Sequence, residues 1–222
     1  MADKGLLPNW LQKGFLNLIT PFVNLMTKWR ISPNTFTVWG LIITAAGTVV
    51  IIIDISYIQL AGFLILIGGI CDTIDGKLAR NSGRETKFGA LFDSSIDRYS
   101  EVIMFFGIAY FYVVQENFLL SIITFLALGG SMMVSYVRAR AEGLGFTVKV
   151  GLMQRPERVV FIGAGAMFYY SLFDITIFHV AAFPVTLLEI VIWVVAVFAN
   201  YTALQRLVFV YKLDITEKKL ER

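Results

Sequence analysis

Cysteine and charge are what this chain has least of. Cys71 is its one cysteine, which excludes an intramolecular disulfide and says little about redox compartment. It reads as a small residue filling a helix contact rather than a reactive thiol. Asp, Glu, Lys and Arg make up only 16% of 222 residues, 57% are hydrophobic, and the mean hydropathy is +0.73. That balance excludes a soluble domain of this size. Charged residues are absent altogether from 31–53, 55–71, 102–115, 117–137, 159–173 and 190–205. No internal repeat, low-complexity stretch or second domain is visible, so 1–222 reads as a single membrane domain. No cleavable signal peptide is expected, because Asn, Lys and Pro interrupt the first apolar segment.

Helices of roughly 20 residues cross a bilayer. Letting the shorter uncharged stretches extend into their flanks predicts six spans, near 33–54, 57–80, 88–114, 117–140, 157–178 and 184–208. The basic residues test this separately, since loops retained in the cytoplasm accumulate Lys and Arg. Six spans gather 1–32, 81–87, 141–156 and 209–222 on one side, and all 19 Lys and Arg lie there or in the adjoining helix ends. The opposite loops, near Asp54, Glu116 and 178–184, have none. The expected fold is an all-α integral membrane protein, multi-pass in the cell membrane, with both termini cytoplasmic. The net charge of +3 follows from the asymmetry and suits an anionic lipid surface, and nothing in the pattern asks for nucleic acid.

Ahead of the six spans, residues 9–30 place Leu11, Phe15, Leu18, Ile19, Phe22, Leu25 and Trp29 at helical spacing. This predicts an amphipathic helix lying in the membrane interface, with Trp10 and Trp29 at headgroup level and Pro21 bending or dividing it. The helix either anchors the chain or helps to enclose a site.

The chemistry concentrates in Asp72-x2-Asp75-Gly76-x2-Ala79-Arg80-x8-Gly89-x3-Asp93-x3-Asp97. Residues three and four apart share a helix face, so Asp72, Asp75, Gly76, Ala79 and Arg80 form one stripe at the end of the second span. Gly89, Asp93 and Asp97 form another at the start of the third. The short polar turn from Asn81 to Lys87 makes these helices antiparallel neighbours whose stripes can face each other. The pocket is expected to open on the cytosol yet be recessed into the bilayer, where a lipid could enter sideways. Four carboxylates at membrane depth repel one another unless cations or basic groups neutralise them. Oxygen-only ligands suit Mg²⁺ or Mn²⁺ better than zinc, and four carboxylates can hold two such ions. Gly76 leaves room for a base or phosphate to approach the backbone, whereas Gly68, Gly69, Ala79 and Gly89 read as close helix packing.

Every fixed position and spacing of that run resembles the signature of the CDP-alcohol phosphotransferases. The resemblance implies an enzyme that moves a phosphatidyl-type group from a CDP-linked lipid to an alcohol and releases CMP. By the family pattern Asp72 and Asp93 would bridge two metal ions, Asp75 would hold one and Asp97 the other, with Asp97 also the catalytic base on the acceptor hydroxyl. Gly76 and Arg80 would contact the CDP moiety. Pro33-Asn34 followed by Thr37 resembles a family element near the nucleotide, although Ser32-Pro33 is equally a normal helix start. Thr86 could bind a phosphate oxygen or cap a helix. The family also implies a homodimer.

The acceptor is read from other residues. Asp93-Ser94-x2-Asp97-Arg98 and Arg155-Pro156-Glu157-Arg158 resemble the members that use inositol phosphate, the phosphatidylinositol phosphate synthases and their archaeal-lipid counterparts. Arg138, Arg140, Lys149, Arg155 and Arg158 surround the loop between the fourth and fifth spans, where a guanidinium cluster would grip a phosphate remote from the reacting hydroxyl. Ordinary positive-inside bias explains the same residues one at a time. Arg138 and Arg155 are expected to face the pocket. The same chemistry with glycerol 3-phosphate, serine or free inositol is the alternative, as is an ether-lipid donor.

His179 reads as a loop residue on the far side, and Trp39 and Trp193 as packing or lipid-facing residues. Glu101, one turn beyond Asp97, could support a neighbour through a hydrogen bond or pair with Arg98 or an arginine of another helix. A cation-coupled transporter is the rival from another class. It predicts acidic groups continuing toward the opposite side and perhaps a repeat, whereas the acidic cluster here stops at the cytoplasmic third.

Overall fold

The computed structural model describes residues 6, 8–148, 150–169, 178–180 and 183–220. Among them seven α-helices follow one another: α1 (Asn9–Lys28), α2 (Pro33–Ile53), α3 (Ile58–Ser82), α4 (Lys87–Val114), α5 (Phe118–Gly143), α6 (Arg155–Met167) and α7 (Leu187–Leu220). A single 3-10 turn (Ile55–Tyr57) joins α2 to α3, where the Asp54 carboxylate accepts from the Ser56 amide at 2.8 Å. This exposed hydrogen bond holds the Asp54 carboxyl below the usual carboxylate range. Two short strands, β1 (Phe178–Val180) and β2 (Phe183–Val185), pair antiparallel before α7.

The protein is a helical membrane protein. Four helical segments are long and apolar enough to cross a bilayer among the described residues: Pro33–Ile53, Ile55–Ser82, Phe118–Gly143 and Leu187–Thr216. The other two expected spans differ for separate physical reasons. α4 has the length, 28 residues or about 42 Å, but carries Asp93, Asp97, Arg98 and Glu101 between its start and its midpoint turn. α6 has 13 residues, about 20 Å, shorter than the roughly 30 Å hydrocarbon core. The remainder of the expected fifth span falls on 170–177, outside the described residues, and on β1. α7 runs well past 208, because its charged end continues the helix.

α2 packs on α3 and α4, α6 on α3 and α7, and α5 on α4 and α7. Their shared core contains Ile65, Met104, Phe105, Ile108, Ile162, Ile192 and Val195. The outward faces are also apolar, with Ile53, Phe125, Val197 and Leu204 more than half exposed. A chain with apolar groups both inside and outside has lipid, not water, as its solvent. Small residues bring the helices together. A Cβ on Gly62 would stand 2.6 Å from the Gly163 carbonyl oxygen, so α3 and α6 meet backbone to backbone.

α1 passes through Pro21 as one helix rather than two. It buries Ile19, Val23 and Met26 against Ile74 and Leu78 of α3. Most of the stripe picked out from the sequence lies elsewhere: Leu11, Leu18, Phe22, Leu25 and Trp29 stay exposed. The helix therefore has two apolar faces, one docked and one open. Lys77 secures the docked face, donating its ammonium to the Leu16 carbonyl at 2.7 Å and to the Thr20 hydroxyl.

Candidate active site

The motif helices are held by their caps. α3 ends at Gly83, whose left-handed backbone (φ 63°) lets the Arg84 amide return to the Ala79 carbonyl at 3.2 Å. α4 begins at Thr86, whose hydroxyl accepts from the Gly89 amide at 2.9 Å. With so short a turn between them, α3 and α4 bring Asp72, Asp75 and Asp93 together. One oxygen of each lies within 4.8 Å of the others. Asp75 is the most enclosed, at 3% exposure, and accepts from the Thr37 hydroxyl. Asp75 Oδ2 and Asp93 Oδ1 are buried without a protein partner.

Asp97 stands one turn further along α4 and is joined to the cluster through an arginine. Arg155 Nη1 contacts Asp72 Oδ2 at 2.6 Å, and its Nη2 contacts Asp97 Oδ1 at 2.8 Å. Its Nε is buried with no partner. The aspartates thus have two sides. On one, a cleft of about 500 Å³ is lined by Asp75 and Asp93 together with Asn34, Thr37, Gly76, Arg80 and Thr86. On the other, a pocket of about 20 Å³ is lined by Asp72, Asp97, Arg155, Ser100, Glu101 and Thr44. Thr37 reaches both. A Cβ on Gly76 would meet only the Arg80 guanidinium, at 3.6 Å, so this position opens on the cleft and not on a neighbouring helix.

The five residues expected to meet the nucleotide lie on one wall system, but the five basic residues of the expected acceptor set do not. Arg155 reaches the aspartates. Arg138 sits on the exposed end of α5, paired with Glu142 at 2.9 Å, and Arg140 is exposed beside it; neither lines the cleft or the pocket. Arg158 is fully buried, its Nε 2.6 Å from Glu101 Oε1. Lys149 lies outside the described residues. The difference follows from packing: α6, not α5, lies against the motif helix α3. Arg84 and Glu85 also line the cleft. Sequence reasoning passed over them as turn residues, although two charges between motif halves were a usable signal.

The donor set fits a hard divalent cation. Every candidate ligand is a carboxylate, and Asp75 and Asp93 each keep one oxygen buried without any protein donor, an arrangement that costs free energy unless a cation completes it.

A helical membrane protein whose aspartates converge from two helices joined by a short turn and both packed on α2, beside a nucleotide-sized cleft, is a membrane transferase acting on a phosphorylated donor. The chain belongs to the CDP-alcohol phosphatidyltransferase family, whose model matches residues 30–201. It is 36% identical to the archaetidylinositol phosphate synthase of Pyrococcus horikoshii, over 80% of this chain and 86% of that protein. Against the phosphatidylinositol phosphate synthase of Streptomyces avermitilis it is 32% identical, over 93% and 83%. The crystal structure of the Mycobacterium tuberculosis phosphatidylinositol phosphate synthase with CDP-DAG bound matches at a TM-score of 0.71 and 27% identity, over 88% of this chain and 94% of that one. The same enzyme in complex with manganese and citrate matches with the same score and identity, over 86% and 88%. The transporter reading is set aside, since the family is one of transferases.

Proposed function

We propose that this protein transfers the phosphatidyl group of a CDP-linked lipid to a hydroxyl of inositol 1-phosphate and releases CMP. The observation that carries this reading is Arg155, a guanidinium gripping two motif carboxylates with its Nε unpaired, on the side of the aspartates away from the nucleotide-sized cleft. The names of the relatives support the acceptor.

The chain's own groups divide the work. Asn34, Thr37, Gly76, Arg80 and Thr86 receive the CDP moiety, with Gly76 leaving space at the wall and Arg80 supplying charge to a phosphate. Asp97 orients the acceptor hydroxyl and takes its proton as the oxygen attacks the lipid-linked phosphorus. The bond from that phosphorus to the CMP oxygen breaks, and CMP leaves with the electron pair. Asp72, Asp75, Asp93 and Asp97 would hold two divalent cations, Mg²⁺ or Mn²⁺, which supply neutralisation of the pyrophosphate and of the departing CMP. Arg155 recognises the acceptor's own phosphate. Arg138 and Arg140, exposed at the end of α5, add positive charge that attracts it from a distance.

The same reading takes α4 and the α6 region as the two further membrane crossings, for six in all, and lays the open apolar face of α1 in the interface. It sets both termini and the cleft on the cytoplasmic side of the cell membrane, in line with the basic residues.

The test is CMP release by purified protein with CDP-diacylglycerol and Mg²⁺, comparing inositol 1-phosphate, free inositol, glycerol 3-phosphate and serine. Release that depends on inositol 1-phosphate is expected. Release with free inositol or serine in its place would discard the phosphate role of Arg155 while keeping the aspartate chemistry.

A further inference from the structure

α4 and α6 face each other across two charged rungs. The outer rung is Asp97 with Arg155 at 2.8 Å, and the inner is Glu101 with Arg158 at 2.6 Å. Asp97 and Glu101 are four residues apart on one helix, and Arg155 and Arg158 three apart on the other, so each helix turns the same face to its neighbour at both levels. The rungs differ in exposure. The outer side chains keep 14% and 16% of their surface open, whereas both inner side chains are at 0%. The inner rung lies outside the cleft and the acidic cluster, and only Glu101 borders the small pocket that Arg155 also lines.

The inner rung also has fixed ends. Arg158 Nη1 donates to the Met153 carbonyl at 3.1 Å, tying down the chain just before α6 begins. The Met153 amide in turn donates to the Thr202 hydroxyl of α7 at 3.2 Å. Glu101 accepts with its second oxygen from Arg98 at 3.1 Å. Apolar residues of similar volume would hold two helices together at least as well as a desolvated ion pair. Packing therefore does not account for a charged pair at this depth. What it supplies is register, since Glu101 is fixed by Arg98 on one oxygen and Arg158 on the other while Arg158 is tied to Met153, so the pair meets in one alignment where an apolar contact tolerates several.

We propose that Glu101 and Arg158 are a positioning pair, setting α6 against α4 so that Arg155, one turn outward, reaches Asp72 and Asp97 together. Arg158 lines neither cavity, and Glu101, which borders the small pocket, has its carboxylate fully buried and taken up by Arg98 and Arg158; both act through Arg155. The proposal rests on Arg155 meeting the acceptor, and predicts a divided kinetic effect. No residue of α6 lines the nucleotide cleft, so loss of register changes acceptor use and leaves donor use alone.

The experiment compares Glu101→Gln with the double variant Glu101→Met/Arg158→Met, each alone and combined with Arg155→Ala, in the full-length protein. The double variant removes both charges at once, so neither is left buried without its partner, and its thermal midpoint in detergent is expected at or above that of the parent. Its KM for inositol 1-phosphate is expected to rise about ten-fold or more, as a small misplacement of a binding group does. The KM for CDP-diacylglycerol is expected to stay within about two-fold, the cleft being unchanged. In the Arg155→Ala background the same substitutions are expected to add nothing, because the residue they act through is gone. Equal changes in both KM values, or a full additional loss without Arg155, would overturn the proposal. If the parent uses glycerol 3-phosphate instead, the cycle is run with that acceptor, so that failure of the inositol reading and failure of the positioning pair give different results.

Discussion

Arg155 stands 2.6 Å from Asp72, joining α6 to the motif helix α3 at the first aspartate of the motif. The same guanidinium reaches Asp97 on α4 at 2.8 Å. One side chain from outside the motif thus neutralises one carboxylate from each of its halves.

Arg155→Ala leaves Asp72 and Asp97 facing each other without a counter-charge. In chelator the variant is expected to lose roughly 1–3 kcal/mol of stability, less than a fully buried pair because these side chains remain partly open. Mg²⁺ is expected to restore most of it. Thermal unfolding in detergent with EDTA and then with Mg²⁺ checks this, and equal losses in both would refute it.

Asp93→Asn and Asp97→Asn are expected to lower CMP release by about 100-fold or more while the protein stays folded, since each removes charge from a group that has too much of it. Turnover near the parent's in either variant would end the mechanism proposed above.

Two glycines of α3 are expected to behave in opposite ways. At Gly76 a methyl group meets only Arg80, so Gly76→Ala gains roughly 0.5–1 kcal/mol of helix stability and raises the KM for the CDP-lipid. At Gly62 the same change drives into the backbone of α6 at Gly163 and destabilises the fold. Thermal midpoints and donor KM values for the pair separate site from packing.

Lys77→Met removes the ammonium that holds the Leu16 carbonyl, at a cost of about 1–2 kcal/mol to the docking of α1. Hydrogen exchange over 9–28 is expected to speed up while the core of α4 keeps its protection. Unchanged exchange in α1 would place its hold on α3 in Ile19, Val23 and Met26 alone.

How much of this could be read without coordinates depended on whether the information was local. Helix ends are local: Pro33, Gly83 and Thr86 act within a turn of themselves, and the helices begin and end where such residues stand. The aspartate cluster is nearly local, because helical spacing and a short turn leave few ways to arrange Asp72, Asp75 and Asp93. Span counting was weaker, since it assumes each uncharged stretch makes one full crossing. α6, with 13 described residues, shows that an apolar run does not fix helix length.

What composition and spacing determined was therefore a helical membrane protein with four aspartates on two facing stripes, for the periods of the helix and the polarity of the bilayer dictate both. Tertiary packing alone decided which arginine meets them. Arg138 and Arg155 look alike in a sequence of basic residues around one loop, yet α5 lies against α4 and α7 while α6 lies against α3. The face each helix buries is chosen by small residues and core volumes far away in the chain, and that choice leaves Arg138 beside Glu142, carries Arg155 to Asp72 and Asp97, and closes Arg158 over Glu101.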